Sequence, residues 1–483
     1  MLLWLLVCVA AAKLAILAAA GPTTAPDSGF YVLYADKLLD GSALGSLPWG
    51  PGTISGYVFR TLGYPLFLAV AKLAGGGSWA PLAIVLQSAL DIAAMGLIFR
   101  VAERLLGSAR WALLTTLLYA GSRSLLWDNA LLSDSLYASL FNIVIFGLLG
   151  GVLGCWRLSP LRLAGLALVW GYSLWTRDNG LYFSGLPLVL LLVRPWRDGF
   201  SRRRLAPAAG FAAIVAAMVG GYGLFNLHRT GEFFFSLTGV DNYLRPLFDM
   251  RIDGYADPFA GDDLVSRAVR ETMTSYDFPA QQQFVAVLDG RCDCTPTQLQ
   301  SLVFAELVTQ VARHPLAYLR VVVRNFDYFD LASDLLDPVN TFNDFIQQAT
   351  ARGARLIPGL SLRHLAQWRQ LSPAMLALMI VAGITKALAA VLFTLFVFGV
   401  PYLWLRARRR GAVAAELWAA GFLWLAFIGV TAAFSLIHFE PRHALPVFPA
   451  AQLGIVYVLS AIAAGLAAIA SAPATGCRQP RSR

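Results

Sequence analysis

A chain of 483 residues that is 58% hydrophobic and 14% charged, with a mean hydropathy of +0.62, is not a soluble globular protein, since such proteins carry about 25% charged residues. Its net charge of +10 invites a nucleic-acid reading, but the arginines sit in short stretches between apolar runs: Arg194 to Arg204, Arg406 to Arg410 and Arg478 to Arg483, with smaller doses at Arg100, Arg104, Arg110, Arg157 and Arg162. That is the positive-inside pattern of cytoplasmic loops, and it removes nucleic acid from the list of partners.

Residues 1–20 form the first apolar segment. The closing AAA resembles a signal-peptidase site, but the positive n-region is missing, so the segment reads as a retained helix. A polar loop follows from Gly21 to Tyr64, holding Asp27, Asp36, Asp40, Arg60 and several glycines and prolines. In so apolar a chain this loop is where chemistry belongs, and the rest reads as its scaffold. The stretch 63–76 is too short to span and is expected to lie along the outer membrane surface.

Apolar runs then recur at 80–101, 111–128, 134–153, 162–177, 180–194 and 206–225, and again at 374–404, 413–435 and 444–469. With the first segment, this predicts an all-α polytopic membrane protein of about ten helices, each drawing on the ~20 residues a bilayer needs. Alternating the spans from a cytoplasmic N-terminus puts every arginine cluster inside. The first loop, the WDNALLSDS, TRDN and HFEPRH turns, and a polar insert at 226–372 then fall outside. The predicted organisation is an N-terminal membrane module (1–225), an extracytoplasmic insert (226–372), C-terminal spans (374–469) and a basic tail (470–483). The insert is too long and polar for a linker, and reads either as a lid over the bundle or as a surface for acceptor or lipid. Cys292 and Cys294 in it make a CxC pair, too few ligands for structural zinc; in an oxidising compartment a disulfide is the alternative. Cys8, Cys155 and Cys477 are scattered.

Five polar patches converge by topology on the outer side: Asp27-Ser28; Arg60 with Gly63-Tyr64-Pro65; Asp128 with Asp134; Arg177-Asp178; and His438 with Arg442-His443. Transfer of a sugar from a membrane-held lipid phosphate needs such a set. A carboxylate accepts the acceptor's proton, and Asp is ionised for that work at neutral pH. Arginines stabilise charge building on the departing phosphate, and a groove between helices holds the polyprenyl tail. Each patch also has a plain structural reading. Asp178 can cap a helix, His438 and His443 suit interfacial hydrogen bonding, Tyr64-Pro65 suits a turn, and Arg123 suits snorkelling. Three charges lie deeper, Lys13, Asp91 and Lys386. At ~1.5 Å per residue Lys13 and Asp91 reach similar depth, which predicts a buried structural pair.

The stretches PDSGFYVLYADKLLDG, FRTLGYPLFLAV and SALDIAAMGLIFRVAERLLG resemble the start of the bacterial fold-C glycosyltransferases (GT-C), the superfamily of protein O-mannosyltransferases and lipid A aminoarabinose transferases. The nearest branch is that of lipopolysaccharide-type enzymes using polyprenyl-phosphate sugars. Looser matches run through ALLSDSLYASL, LWTRDNGLYF and PRHALPVFP, with a faint one at HPLAYL in the insert. The resemblance implies a multi-pass enzyme of the bacterial cytoplasmic membrane with its site outside, a polyprenyl-phosphate sugar as donor, and a glycan, lipid or protein as acceptor. The family's first-loop acid falls on Asp27 as base; relatives often have a second acid next, where this chain has Ser28. The second acidic site falls on Asp134, with Asp128 nearby, and in metal-using relatives such acids hold Mg²⁺ or Mn²⁺. Arg177 matches the basic residue expected to bind lipid phosphate, with Arg442 and Arg60 as further choices, and Asp178, His438 and Tyr64 are secondary candidates. Two other classes stay open: a transporter or lipid flippase, which fits the spans but not the insert, and a non-catalytic membrane scaffold, which the missing second acid keeps in view.

Overall fold

The computed structural model describes residues 1–25, 27–45, 60–194, 199–200, 205–273, 278–292, 294–339, 341–342, 372–409, 414–437 and 440–470. Among these the chain is helical apart from a two-residue antiparallel ladder, Val193–Arg194 with Gly199–Phe200. Seven stretches are long and apolar enough to cross a membrane: Leu2–Ala20, Gly63–Leu106, Ser133–Leu153, Leu205–Thr230, Pro373–Arg409, Ala415–Ile437 and Arg442–Ala467.

Contacts sort the helix ends into two sets. At one end Arg104 Nε donates to the Leu153 carbonyl at 3.3 Å and its guanidinium faces Glu416 at 3.7 Å. This end also carries Arg100, Arg110, Arg157, Arg162 and Arg406. At the other end Asn129 Nδ2 donates to the Gly21 carbonyl (2.7 Å), Thr61 Oγ1 to the Thr176 carbonyl (3.2 Å), and Arg442 approaches Asp27 (3.8 Å). Three shorter apolar segments, 109–127, 160–176 and 178–192, pass between the same two ends. With them the described residues hold ten apolar segments, seven of them long enough to span, against the about ten expected.

We number the helices used below in chain order. α1 (Leu2–Ala20) packs on α4 (Trp79–Leu106). α2 (Ser28–Leu39) and α3 (Gly63–Gly75) pack on each other and cover the first-loop end of α4. α3 is a separate helix, as expected, but it is wedged into the bundle at its start. A Cβ on Gly63 would lie 2.4 Å from the Thr176 amide, so only glycine lets the two backbones approach this closely. α5 (Ala109–Ala120) and the single turn α6 (Ser124–Trp127) lead into α7 (Ser133–Leu153), the most enclosed helix. α7 is apolar on every side because α4, α8 (Pro160–Thr176) and α9 (Gly185–Leu192) surround it.

α10 (Leu205–Thr230) runs five residues past the boundary expected at 225. Its Arg229, almost fully buried, donates to Tyr34 Oη at 3.0 Å and to the Ala43 carbonyl at 3.4 Å, tying the first loop to the insert's root. The insert has its own core, built from Val240, Leu244, Leu247, Phe248, Leu299 and Val321 among others. This core draws on α11 (Gly239–Ile252), α12 (Leu264–Thr272), α13 (Phe278–Cys292), α14 (Pro296–Arg313) and α15 (Pro315–Asn325). Cys292 and Cys294 are joined as a disulfide.

The expected insert 226–372 therefore divides. Within it α16 (Tyr328–Leu336) buries Leu331, Ala332 and Leu335 in the membrane bundle, not in the insert core. α17 (Pro373–Arg409), α18 (Ala415–Ile437) and α19 (Phe448–Ala470) complete the bundle. The tail 471–483 lies outside the described residues.

Candidate functional site

The first loop is sewn to the segment before α7. Thr23 bridges Ala130, with Thr23 N donating to the Asn129 carbonyl and Leu131 N to the Thr23 carbonyl, both at 2.9 Å. Ser28 is buried here: its Oγ accepts from Ala25 N and donates to the Leu131 carbonyl, both at 2.8 Å. Tyr31, one helical turn past Asp27, bonds Ser133 Oγ at 2.9 Å. The hydroxyl at position 28 thus has a structural role. A carboxylate there would face a carbonyl and lose the hydroxyl's donor, so Ser28→Asp is expected to destabilise the fold by about 2–5 kcal/mol, read as a fall in thermal midpoint in detergent.

Asp27, held at the start of α2, keeps 23% of its side chain exposed. Arg60 Nη2 donates to its Oδ1 at 2.9 Å, and Arg442 Nη2 lies 3.8 Å from its Oδ2. Arg60 also sits 6.0 Å from the centre of the Tyr31 ring. Arg442 is paired with Glu440 as well and lies 6.0 Å from the Trp127 ring, with Arg123 5.9 Å from the same ring. Arg123 Nη1 meets both carboxylate oxygens of Asp334 at 2.7 and 2.8 Å, so it docks α16 rather than snorkelling. Arg177, extended between α8 and the following turn, forms an ion pair with Asp134 at the start of α7 and lies within electrostatic reach of Arg442 and Asp27. Each of the five patches therefore contributes one residue to a single cluster: Asp27, Arg60, Asp134, Arg177 and Arg442. His438 lies outside the described residues.

Asp128 stands apart from Asp134. It is buried on Lys13, which also pairs with Asp91 at 3.0 Å; Ser135 Oγ donates to Asp128, and Tyr119 Oη donates to Asp91 at 2.6 Å. The expected Lys13–Asp91 pair is present, enlarged by a second carboxylate. Lys386 pairs with Asp330 at 3.2 Å in a more exposed place. Tyr64 is wholly buried; its Oη donates to Gln87 Oε1 at 3.4 Å and its ring meets Tyr31 edge-on at 5.0 Å. Asp178 caps no helix. Its Oδ2 accepts from Ser236 (2.5 Å) and Thr238, tying the Arg177 turn to the insert. His443 stacks on Phe434 at 4.7 Å, and its Nδ1 accepts from Glu440 N at 3.2 Å.

Sequence reasoning missed Tyr31, Trp127, Glu440 and Asp334. Tyr31 had a readable signal, its i+4 spacing from Asp27; Asp334 had none, since its partner Arg123 is 211 residues away.

The donors do not compose a divalent-metal site. Asp128 and Asp134 each face a cation, and among the described residues no group of three His, Cys, Asp or Glu could hold an ion.

The fold and site define a polytopic helical membrane protein with two carboxylates and three guanidinium groups gathered at the end opposite Arg100, Arg104, Arg157 and Arg162. No family model matches the chain, and no curated protein matches it. A crystal structure of ArnT from Cupriavidus metallidurans bound to undecaprenyl phosphate overlaps it with a TM-score of 0.38 and 14% identity, over 96% of this chain and 79% of that one.

Proposed function

We propose that the protein is a GT-C-type membrane glycosyltransferase. It moves a sugar from a polyprenyl-phosphate donor to a glycan, lipid or protein acceptor on the extracytoplasmic face of a bacterial cytoplasmic membrane. One observation carries the reading: Asp27 sits between Arg60 and Arg442, with Arg177 and Asp134 beside them. The positive-inside rule supports an extracytoplasmic position for this cluster, since Arg100, Arg104, Arg110, Arg157 and Arg162 lie at the other end.

An acceptor oxygen attacks the anomeric carbon, and the bond from that carbon to the phosphate oxygen breaks with its electron pair left on the lipid phosphate. The acceptor proton passes to the Asp27 carboxylate, and the anomeric centre inverts. Arg442 and Arg60 neutralise the charge growing on the leaving phosphate, in the water-poor setting where such donors contribute most. Arg177, oriented by Asp134 and by the turn that Asp178 anchors, completes the phosphate clamp. No step is routed through a metal, so transfer is expected to survive excess EDTA within about twofold.

The test supplies radiolabelled polyprenyl-phosphate sugars as a panel to membranes with and without the protein. Transfer that depends on the protein supports the reading. Protein-dependent movement of the lipid across the bilayer, with no transfer from any donor, favours the transporter instead.

A further inference from the structure

Beside the Arg177 turn lies a cavity of about 270 Å³ in the insert, between the start of α11 and α14. Its apolar wall is aromatic: Phe234, Tyr243 and Phe304, with the last two rings 5.0 Å apart. Its polar wall is neutral: Ser236, Gln300 and Ser301, with no charged group lining it among the described residues. The Gln300 amide lies against Gly239, where a Cβ would come within 2.8 Å of its Nε2. Its Oε1 is shielded from solvent and meets no hydrogen-bond donor among the described residues. Such an oxygen is satisfied by a ligand hydroxyl or by a water that a ligand hydroxyl can replace. Ser236 belongs both to the cavity wall and to the bond onto Asp178, the neighbour of Arg177.

We propose that this cavity is an acceptor subsite for a neutral sugar ring other than the one that reacts. Aromatic faces take the apolar faces of a pyranose, amide and hydroxyl groups take its hydroxyls, and the lack of charge disfavours phosphorylated or amino sugars. The volume falls just under the ~300–1,000 Å³ of pockets for drug-sized ligands, which suits one or two sugar rings. The subsite rests on the transferase reading for its role, but its ligand chemistry can be measured alone.

The first measurement is saturation-transfer NMR of the full-length protein in nanodiscs with a panel of neutral methyl glycosides. At least one glycoside is expected to bind, and Gln300→Ala and the cavity-filling Ser301→Trp are each expected to weaken it tenfold or more, while Asp27→Asn leaves it unchanged. Ser301 is exposed, so its variant tests occupancy without disturbing the insert core. No binding across the panel, or binding that both variants leave intact, overturns the subsite. The second measurement applies in the transfer assay. Gln300→Ala should raise the acceptor KM about tenfold with kcat and donor KM unchanged. Normal acceptor KM in an active enzyme removes the subsite while the transferase stands. Glycoside binding without transfer from any donor leaves the subsite and removes the transferase.

Discussion

Asp27→Asn is expected to lower transfer by about 10²–10⁴-fold, the usual contribution of a positioned base, with the protein's thermal midpoint little changed. Asparagine keeps the shape and one acceptor oxygen, so Arg60 retains its bond at the former Oδ1 position. What is lost is the capacity to take a proton from the acceptor hydroxyl. The same substitution removes a negative charge from between Arg60 and Arg442, which should make the pocket more attractive to phosphate. The expected signature is therefore a large fall in kcat with donor affinity equal to or tighter than wild type. A merely structural ion pair would give a different result: lower stability and weaker donor binding, with kcat preserved in the folded fraction. Arg442→Met supplies the contrast, raising donor KM and lowering kcat by about 10²–10³-fold, because it removes a donor from the leaving group. Binding is read with the intact polyprenyl-phosphate sugar and turnover with the acceptor at saturation, so the two effects separate.

Much of this site was legible because membrane proteins concentrate their charges. With nearly charge-free helices, Asp27, Arg60, Asp134, Arg177 and Arg442 stood out singly, and the parity of apolar runs assigned them to one end. Their pairing was not legible. Nothing in local sequence says that Arg177 pairs with Asp134, or that Asp128 turns away from Asp134 onto Lys13; those choices depend on helix rotation, which packing sets. Asp178 misled for a related reason. Its position after α8 has the residue type of a cap, but the insert supplies two hydroxyl donors, Ser236 and Thr238, from 58 and 60 residues away. The extent of the insert misled because α16 is short and carries Asp327, Asp330 and Asp334, so it reads as polar. Its burial of Leu331, Ala332 and Leu335, with the Arg123–Asp334 pair, assigns it to the bundle.

Lys13→Met should have the largest effect on stability of any single change considered, about 3–5 kcal/mol, the range seen when one member of a buried ionic group is removed. Lys13 lies at mid-length of α1, and its ammonium serves two carboxylates, Asp91 from α4 and Asp128 from the turn before α7. Methionine leaves both acids buried with no cation. Their remaining partners are hydroxyls, Tyr119 on Asp91 and Ser135 on Asp128, which can hydrogen-bond but not neutralise. The damage should reach the site, because Gln87 Nε2 donates to the Asp128 carbonyl at 2.6 Å and to the Ala130 carbonyl at 2.9 Å, and Ala130 is the residue that bridges the first loop. Asp91→Asn is the milder partner variant, since it leaves Lys13 with Asp128 as a one-to-one pair. The ordering Lys13→Met well below Asp91→Asn, and Asp91→Asn below wild type, is the outcome to look for in thermal unfolding followed by size-exclusion recovery in detergent. The double variant Lys13→Met with Asp91→Asn should recover part of the loss, because only one unpaired carboxylate remains. If Asp91→Asn matches wild type in expression and midpoint, the Lys13–Asp91 arm does not hold α1 in place, and the seam between the first loop and the segment before α7 rests on the hydrogen bonds of Thr23, Ser28 and Asn129.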